Sequence, residues 1–119
     1  MKFLALYTPA QRTPGPPSKE HMAEMGKLIE ESMKSGELVS TGGLLPISKG
    51  GARVRRSGSE ISVIDGPFAE SKEVVGGFAV LEAKSREDAV EMTRKFLKVA
   101  GDGETELRQM MEPGEGARQ

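Results

Sequence analysis

Two apolar segments, residues 3–7 and 74–81, most restrict the folds open to this 119-residue chain. Neither segment contains a charged residue, and neither alternates between polar and apolar side chains. A strand with apolar side chains on both of its faces needs cover on both faces. The two segments are therefore predicted to be strands in the middle of a sheet that is shielded from water on each side.

The remaining segments supply two helices and four further strands. Serine begins each helix and glycine ends it, as helix capping favours. The resulting order is typical of a ferredoxin-like α+β fold, βαββ(β)αβ, with an inserted hairpin strand and two helices on one face of an antiparallel sheet. The predicted segments are strand 3–7, helix 18–35, strand 38–45, hairpin 52–56 and 60–64, strand 74–81, helix 85–101 and strand 104–111.

The second face of this sheet has no cover within the chain, because both helices lie on the first. A second copy, packed sheet against sheet, is the simplest cover, so a homodimer through the sheet face is expected. Residues 1–112 are predicted to form this single domain, and residues 113–119 a flexible C-terminal tail.

Composition narrows the possible functions. The formal net charge is −1, which gives no general attraction to nucleic acid or to an anionic membrane. The chain has no cysteine, which fits a cytoplasmic protein, and one histidine, which excludes a multi-histidine metal site within one chain. The apolar start is too short for a signal peptide or a membrane span. No metal and no other cofactor is expected.

The turn between two predicted strands, Asp65-Gly66-Pro67-Phe68, is the strongest candidate for a functional site. Proline restricts the residue before it, so the turn would hold the Asp65 carboxylate in a set position relative to the Phe68 ring. A carboxyl group beside an aromatic ring in a cleft is suited to acid/base catalysis. The alternative interpretation is structural: Asp65 accepts hydrogen bonds from the turn, and Phe68 fills the core.

Four other residues are candidates beside this turn. His21, near the start of the first helix, would act with Asp65 as a catalytic pair, unless it is an ordinary surface histidine. Tyr7, Ser71 and Lys72 would bind substrate together with Phe68. For Tyr7 the alternative role is to cap the core, and for Ser71 and Lys72 it is to remain in solvent.

The motif also carries a family resemblance. It resembles the signature of YCII-related proteins of the DGPF type, and the similarity extends over the opening strand, both helices and the Gly-Gly-Phe that follows the motif. The resemblance implies a ferredoxin-like subunit in a dimeric α/β barrel, in the bacterial cytoplasm. It also implies an active pair of a helix histidine, here His21, and an aspartate, with small aromatic or lactone-like ligands. The full motif is Asp65-Gly66-Pro67-Phe68-Ala69-Glu70-Ser71-Lys72-Glu73.

Three functions remain open on these grounds. The first is a small-molecule enzyme that performs isomerisation, elimination or hydrolysis by proton transfer. The second is a ligand-binding or regulatory module without turnover. The third is a structural homodimer in which the motif acts as a latch.

Overall fold

A computed structural model of the protein describes residues 1–10, 17–68 and 75–113. It confirms the predicted order of helices and strands and the ferredoxin-like α+β fold. The elements are β1 (Lys2–Pro9), α1 (Lys19–Ser35), β2 (Leu38–Gly43), β3 (Arg53–Ser57), β4 (Glu60–Ile64), β5 (Gly77–Glu82), α2 (Arg86–Ala100) and β6 (Gly103–Gln109).

The main sheet is antiparallel and has four strands in the order β2-β5-β1-β6. The two apolar strands, β1 and β5, are its central pair, as their composition predicts, with Leu4 opposite Val80 and Leu6 opposite Phe78. Strand β6 lies at one edge of this sheet. The hairpin of β3 and β4, residues 53–64, forms a separate two-stranded sheet, and we refer to it as the arm.

The core lies between the main sheet and the helices. Phe3, only 4% exposed, and Ala5 project from β1 toward this layer, and the buried Ala89 projects from α2. Side chains alternate along a strand, so Leu4 and Leu6 project from the opposite side of β1. We call this opposite side the open face. Its apolar side chains are half-buried in the isolated subunit and comprise Leu4, Leu6, Phe78 and Val80.

The helix ends follow the predicted capping. The Ser18 hydroxyl accepts a hydrogen bond from the His21 N–H at 3.1 Å, and Gly36 ends α1 in the left-handed conformation. The Ser85 hydroxyl accepts from the Asp88 N–H at 3.1 Å. These bonds satisfy helix donors that have no partner within the helix.

Two details differ from expectation. The helical spacing of its apolar residues predicts a stripe on α1 that includes Met22, Met25, Ile29 and Met33. Met22 and Met33 are exposed, whereas Met25 and Ile29 are half-buried, as is Leu28. The predicted loop after residue 7 begins later, because β1 continues to Pro9. Pro9 lacks an N–H, and it lies beyond the last residue of β1 that pairs with β5, so no hydrogen bond to that strand is lost. In the predicted tail, residues 114–119 lie outside the described part of the chain.

Candidate functional site

Two predicted site residues, Tyr7 and His21, lie at the same end of the sheet. Tyr7 is near the end of β1 and is paired with Gly77, the first residue of β5. Helix α1 has 17 residues and is therefore about 25 Å long, similar to the length of β1. Helix α1 is followed directly by β2, which begins beside Leu81, at the end of the sheet where β1 starts. The last turn of α1 therefore lies at that end, and its first turn lies at the other end, where β1 ends. This first turn contains His21.

Tyr7 projects toward the helices. Its ring makes an edge-to-face contact with Phe96 of α2, with ring centroids 5.2 Å apart. Its hydroxyl donates a hydrogen bond to the Asp102 carbonyl oxygen at 3.2 Å. Burial, and to a smaller extent the charge of Asp102, raise the pKa of the Tyr7 hydroxyl above its ordinary value of 10.0. Tyr7 is thus a protonated donor at neutral pH, packed on the helix side of the sheet.

The motif begins directly after β4, at the base of the arm. Asp65 is exposed, Gly66 has a φ of 122°, and the Gly66–Pro67 peptide bond is cis. A φ of this sign favours glycine, which explains why Gly66 occupies the position. Phe68 is half-buried, and the guanidinium of Arg53 lies over its ring at 5.4 Å from the centroid. This cation–π contact attaches the turn to the arm.

Asp65 and His21 are not joined by a hydrogen bond in the described structure. His21 is half-buried, and its backbone N–H donates a hydrogen bond to the Ser18 hydroxyl. The Asp65 carboxylate has no hydrogen bond or ion pair with another described residue. Two predicted substrate-binding residues, Ser71 and Lys72, lie outside the described residues, in the segment that joins the motif to β5.

An open cleft of about 440 Å³ lies on the open face, at the same end of the sheet as Tyr7. Apolar side chains from β1 and from the residues just before β5 contact one part of it, and a hydroxyl and two carboxylates contact the rest. Val75, one of its lining residues, is the first described residue after the motif. The full lining is Leu6, Thr8, Val75, Glu104 and Glu106.

Sequence reasoning missed the two carboxylates of this cleft. Glu106 is paired with the guanidinium of Arg108 at 3.1 Å, whereas Glu104 has no ion pair among residues of the described ranges. A signal for them exists in β6, where Glu104, Glu106 and Arg108 alternate with Thr105 and Leu107. The period of two places all three charged side chains on one face, but the pairing of β6 with β1 is needed to identify that face as the open one.

The described residues contain no group of three or more histidine or acidic side chains arranged to hold a metal ion. Within the same ranges, neither helix is long and apolar enough to cross a membrane.

A four-stranded antiparallel sheet with two helices on one face and a cleft on the other defines a ferredoxin-like α+β protein. The sequence matches the YCII-related domain family over residues 1–112, and the chain belongs to this family. The resemblance carried by the motif is thereby confirmed.

Two individual proteins illustrate the range of similarity. An uncharacterised protein of Rhizobium meliloti (strain 1021) is 29% identical over 97 residues, which cover 79% of this chain and 77% of that protein. The fold is similar to that of 5-chloro-2-hydroxyhydroquinone dehydrochlorinase (TftG) from Burkholderia phenoliruptrix AC1100, solved in complex with 2,5-dihydroxybenzoquinone. The TM-score is 0.54 and the identity 17%, with 93% of this chain and 94% of the other covered.

Proposed function

We propose that this protein is a cytoplasmic enzyme that binds a small organic molecule in the open-face cleft and transforms it by proton transfer. The reaction class is isomerisation, elimination or hydrolysis, which requires no metal or redox cofactor. Asp65 is the proposed acid/base residue, and His21 assists it from the helix side, around the end of the sheet where β1 ends. Phe68, Ser71 and Lys72 bind substrate, while Tyr7, which projects toward the helices, orders that end of β1.

The position of the cleft is the observation that carries this proposal. It lies where the motif segment rejoins the sheet, since Val75 both follows that segment and lines the cleft. Its volume of about 440 Å³ falls in the range of pockets that bind small molecules, roughly 300–1,000 Å³. Its lining combines apolar side chains with the Thr8 hydroxyl and two carboxylates, a combination that suits a small ring compound with polar substituents.

The dehydrochlorinase TftG supports this substrate class, because its structure holds 2,5-dihydroxybenzoquinone within the same fold. We therefore favour hydroxylated or quinone-like rings as the first compounds to test.

A second copy of the chain is part of the proposal. The open face carries four half-buried apolar side chains, and a partner packed on it would cover them and complete a dimeric α/β barrel around the cleft. The side chains concerned are Leu4, Leu6, Phe78 and Val80.

A ligand-binding module without turnover is the second candidate function. It is favoured by the absence of a hydrogen bond between Asp65 and His21 within the described residues. The cleft alone would suffice for binding, whereas proton transfer also requires a titratable group close to the ligand.

The substitution Asp65→Asn tests the proposal. The protein is incubated with a panel of hydroxylated benzenes and quinones, binding is followed by ligand-detected NMR, and products are followed by chromatography. Loss of general acid/base catalysis should reduce turnover by about 10²–10⁴-fold while ligand affinity is retained. Because Asp65 is exposed, the free energy of unfolding should change by no more than about 0.5 kcal/mol.

The same experiment separates the alternatives. Binding without any product from the wild-type protein would identify a binding module. A large loss of stability in Asp65→Asn, with no ligand bound by either protein, would identify the motif as a structural latch.

A further inference from the structure

The arm carries an apolar surface that its own subunit does not cover. Among the described residues, its strands β3 and β4 pair only with each other, and every residue in them except Ile64 is exposed. An isolated two-stranded hairpin is at best marginally stable in water. An arm of this kind is expected to gain its stability from contact with another surface.

The two faces of the arm differ in chemistry. Val54 is opposite Val63 and Arg56 is opposite Ile61, and directly opposed residues share a face. Val54, Ile61 and Val63 are therefore on one face, and they are 67%, 69% and 61% exposed. The opposite face holds Arg53, which contacts Phe68, and Arg55. We call the surface formed by Val54, Ile61 and Val63, with Arg56 beside them, the aliphatic face of the arm.

The open face of the main sheet has complementary chemistry. Its centre is apolar, and its border on β6 is acidic at Glu104 and Glu106, which lie opposite Thr8 and Leu6 of β1. Glu106 already pairs with Arg108. Glu104 is the carboxylate left without an ion pair in the described ranges. On the arm, Arg56 donates from Nε to the Gly58 carbonyl oxygen at 2.8 Å and has no carboxylate partner among the described residues.

We propose that the arm of one subunit packs on the open face of a second copy of this chain. The aliphatic face packs at the cleft end of the partner's open face, next to the area that the main sheet covers, and Arg56 pairs with Glu104 of the other copy across the acidic border. The arm thereby becomes a second wall of the partner's cleft, so each cleft is complete only in the dimer. This inference rests on the sheet-to-sheet dimer proposed above and not on the proposed chemistry.

A second copy fits this surface better than another partner does, for two reasons. Each chain carries both surfaces of the proposed contact: the arm, which is aliphatic and carries Arg56, and the open face, which is apolar and is bordered by Glu104. A two-fold symmetric dimer therefore forms the same contact twice. The contact is also continuous with the face already expected to be covered by dimerisation. Opposite charges at the border would steer the two copies into register.

Charge reversal in two separate chains tests the contact. R56E and E104R are purified, and the dimer dissociation constant is measured by analytical ultracentrifugation for each variant alone and for an equimolar mixture. Each variant alone should dissociate at least about tenfold more readily, because like charges meet at both contacts of a symmetric dimer. In the mixture, the altered arm meets the altered border and the unaltered arm meets the unaltered border. Dimers of wild-type affinity should therefore return.

A matched control is R55E, which reverses the same charge on the same strand but on the other face of the arm. Its dissociation constant should stay within about threefold of wild type, in keeping with a weak, screened effect. E104R controls for the lost Arg56–Gly58 bond, since it keeps that bond while it reverses the other charge of the proposed pair.

Three results would overturn the inference. In the first, R56E and R55E have equal effects on a dimer that does form. In the second, the mixture fails to recover affinity that both single variants have lost. In the third, the wild-type protein is a monomer at all concentrations. That result would rule out the dimer contact, whereas the proposed reaction would still be tested separately by the ligand-binding and turnover assays of Asp65→Asn.

Discussion

The substitution Leu6→Ala offers a quantitative test of whether a second copy covers the open face. Complete burial of a leucine side chain contributes about 1.5–3 kcal/mol. Leu6 is half-buried in the isolated subunit, so roughly 1 kcal/mol remains to be gained when a partner covers it. A symmetric dimer contains two copies of Leu6. The substitution should therefore weaken dimerisation by roughly 2 kcal/mol, a rise of about 30-fold in the dissociation constant.

Sedimentation equilibrium over a range of protein concentrations measures this constant, and urea unfolding of the diluted protein measures the stability of the subunit. The control is Leu107→Ala. Leu107 lies in the neighbouring strand but packs against the helix-side core. Because Leu107 is only partly buried, the substitution should lower the free energy of unfolding by roughly 1–2 kcal/mol and leave the dissociation constant nearly unchanged.

An unchanged dissociation constant for the Leu6→Ala dimer would show that no second copy covers Leu6. Sedimentation of the wild-type protein as a single subunit at every concentration would show that the open face is the solvent-exposed surface of a monomer.

Two further predictions concern the helix side of the sheet. Folding raises the pKa of the Tyr7 hydroxyl, so protonated Tyr7 contributes to the free energy of unfolding. This contribution is present below about pH 10 and is lost as the pH rises above that value. Tyr7→Phe should flatten this alkaline decline in stability. Tyr7 is the only tyrosine and tryptophan is absent, so tyrosinate absorbance reports the titration of Tyr7 alone. The midpoint of this pH titration should be higher for the folded than for the unfolded wild-type protein. Equal midpoints would contradict the assignment. Ser85→Ala should lower the free energy of unfolding by about 1 kcal/mol in urea titrations, because the bond to the Asp88 N–H is lost. Ser85→Asp keeps a hydrogen-bond acceptor at the cap and should therefore retain most of the wild-type free energy of unfolding. Equal losses in both variants would refute the capping role.

Local patterns predicted the framework of this protein well. The apolar runs identified β1 and β5 as the central strands, because side chains on both faces of a strand must be covered wherever the strand lies. The caps at Ser18 and Ser85 are also local, since each hydroxyl accepts a hydrogen bond from an N–H three residues away. Interactions within a few residues depend little on the remainder of the fold, so they can be inferred from the order of the residues.

The candidate site was only partly predictable. Tyr7 was expected to bind substrate, yet its side chain packs on Phe96, and the side of β1 that it occupies depends on strand register. Glu104 and Glu106 were not predicted as site residues. The alternating pattern of β6 shows that its side chains divide between two faces, but it does not show which of these faces packs against the helices. Where Asp65 stands relative to His21 likewise depends on how the arm is oriented.

Residue order was therefore sufficient for the elements, their succession and the location of the motif, since each follows from contacts between near neighbours along the chain. The cleft, the separation of the arm from the main sheet and the chemistry of the open face required the folded chain. They arise where β1, β5 and β6, distant in sequence, are hydrogen-bonded side by side, and the register of those bonds assigns each side chain to the helix layer or to the face that a second copy is proposed to cover.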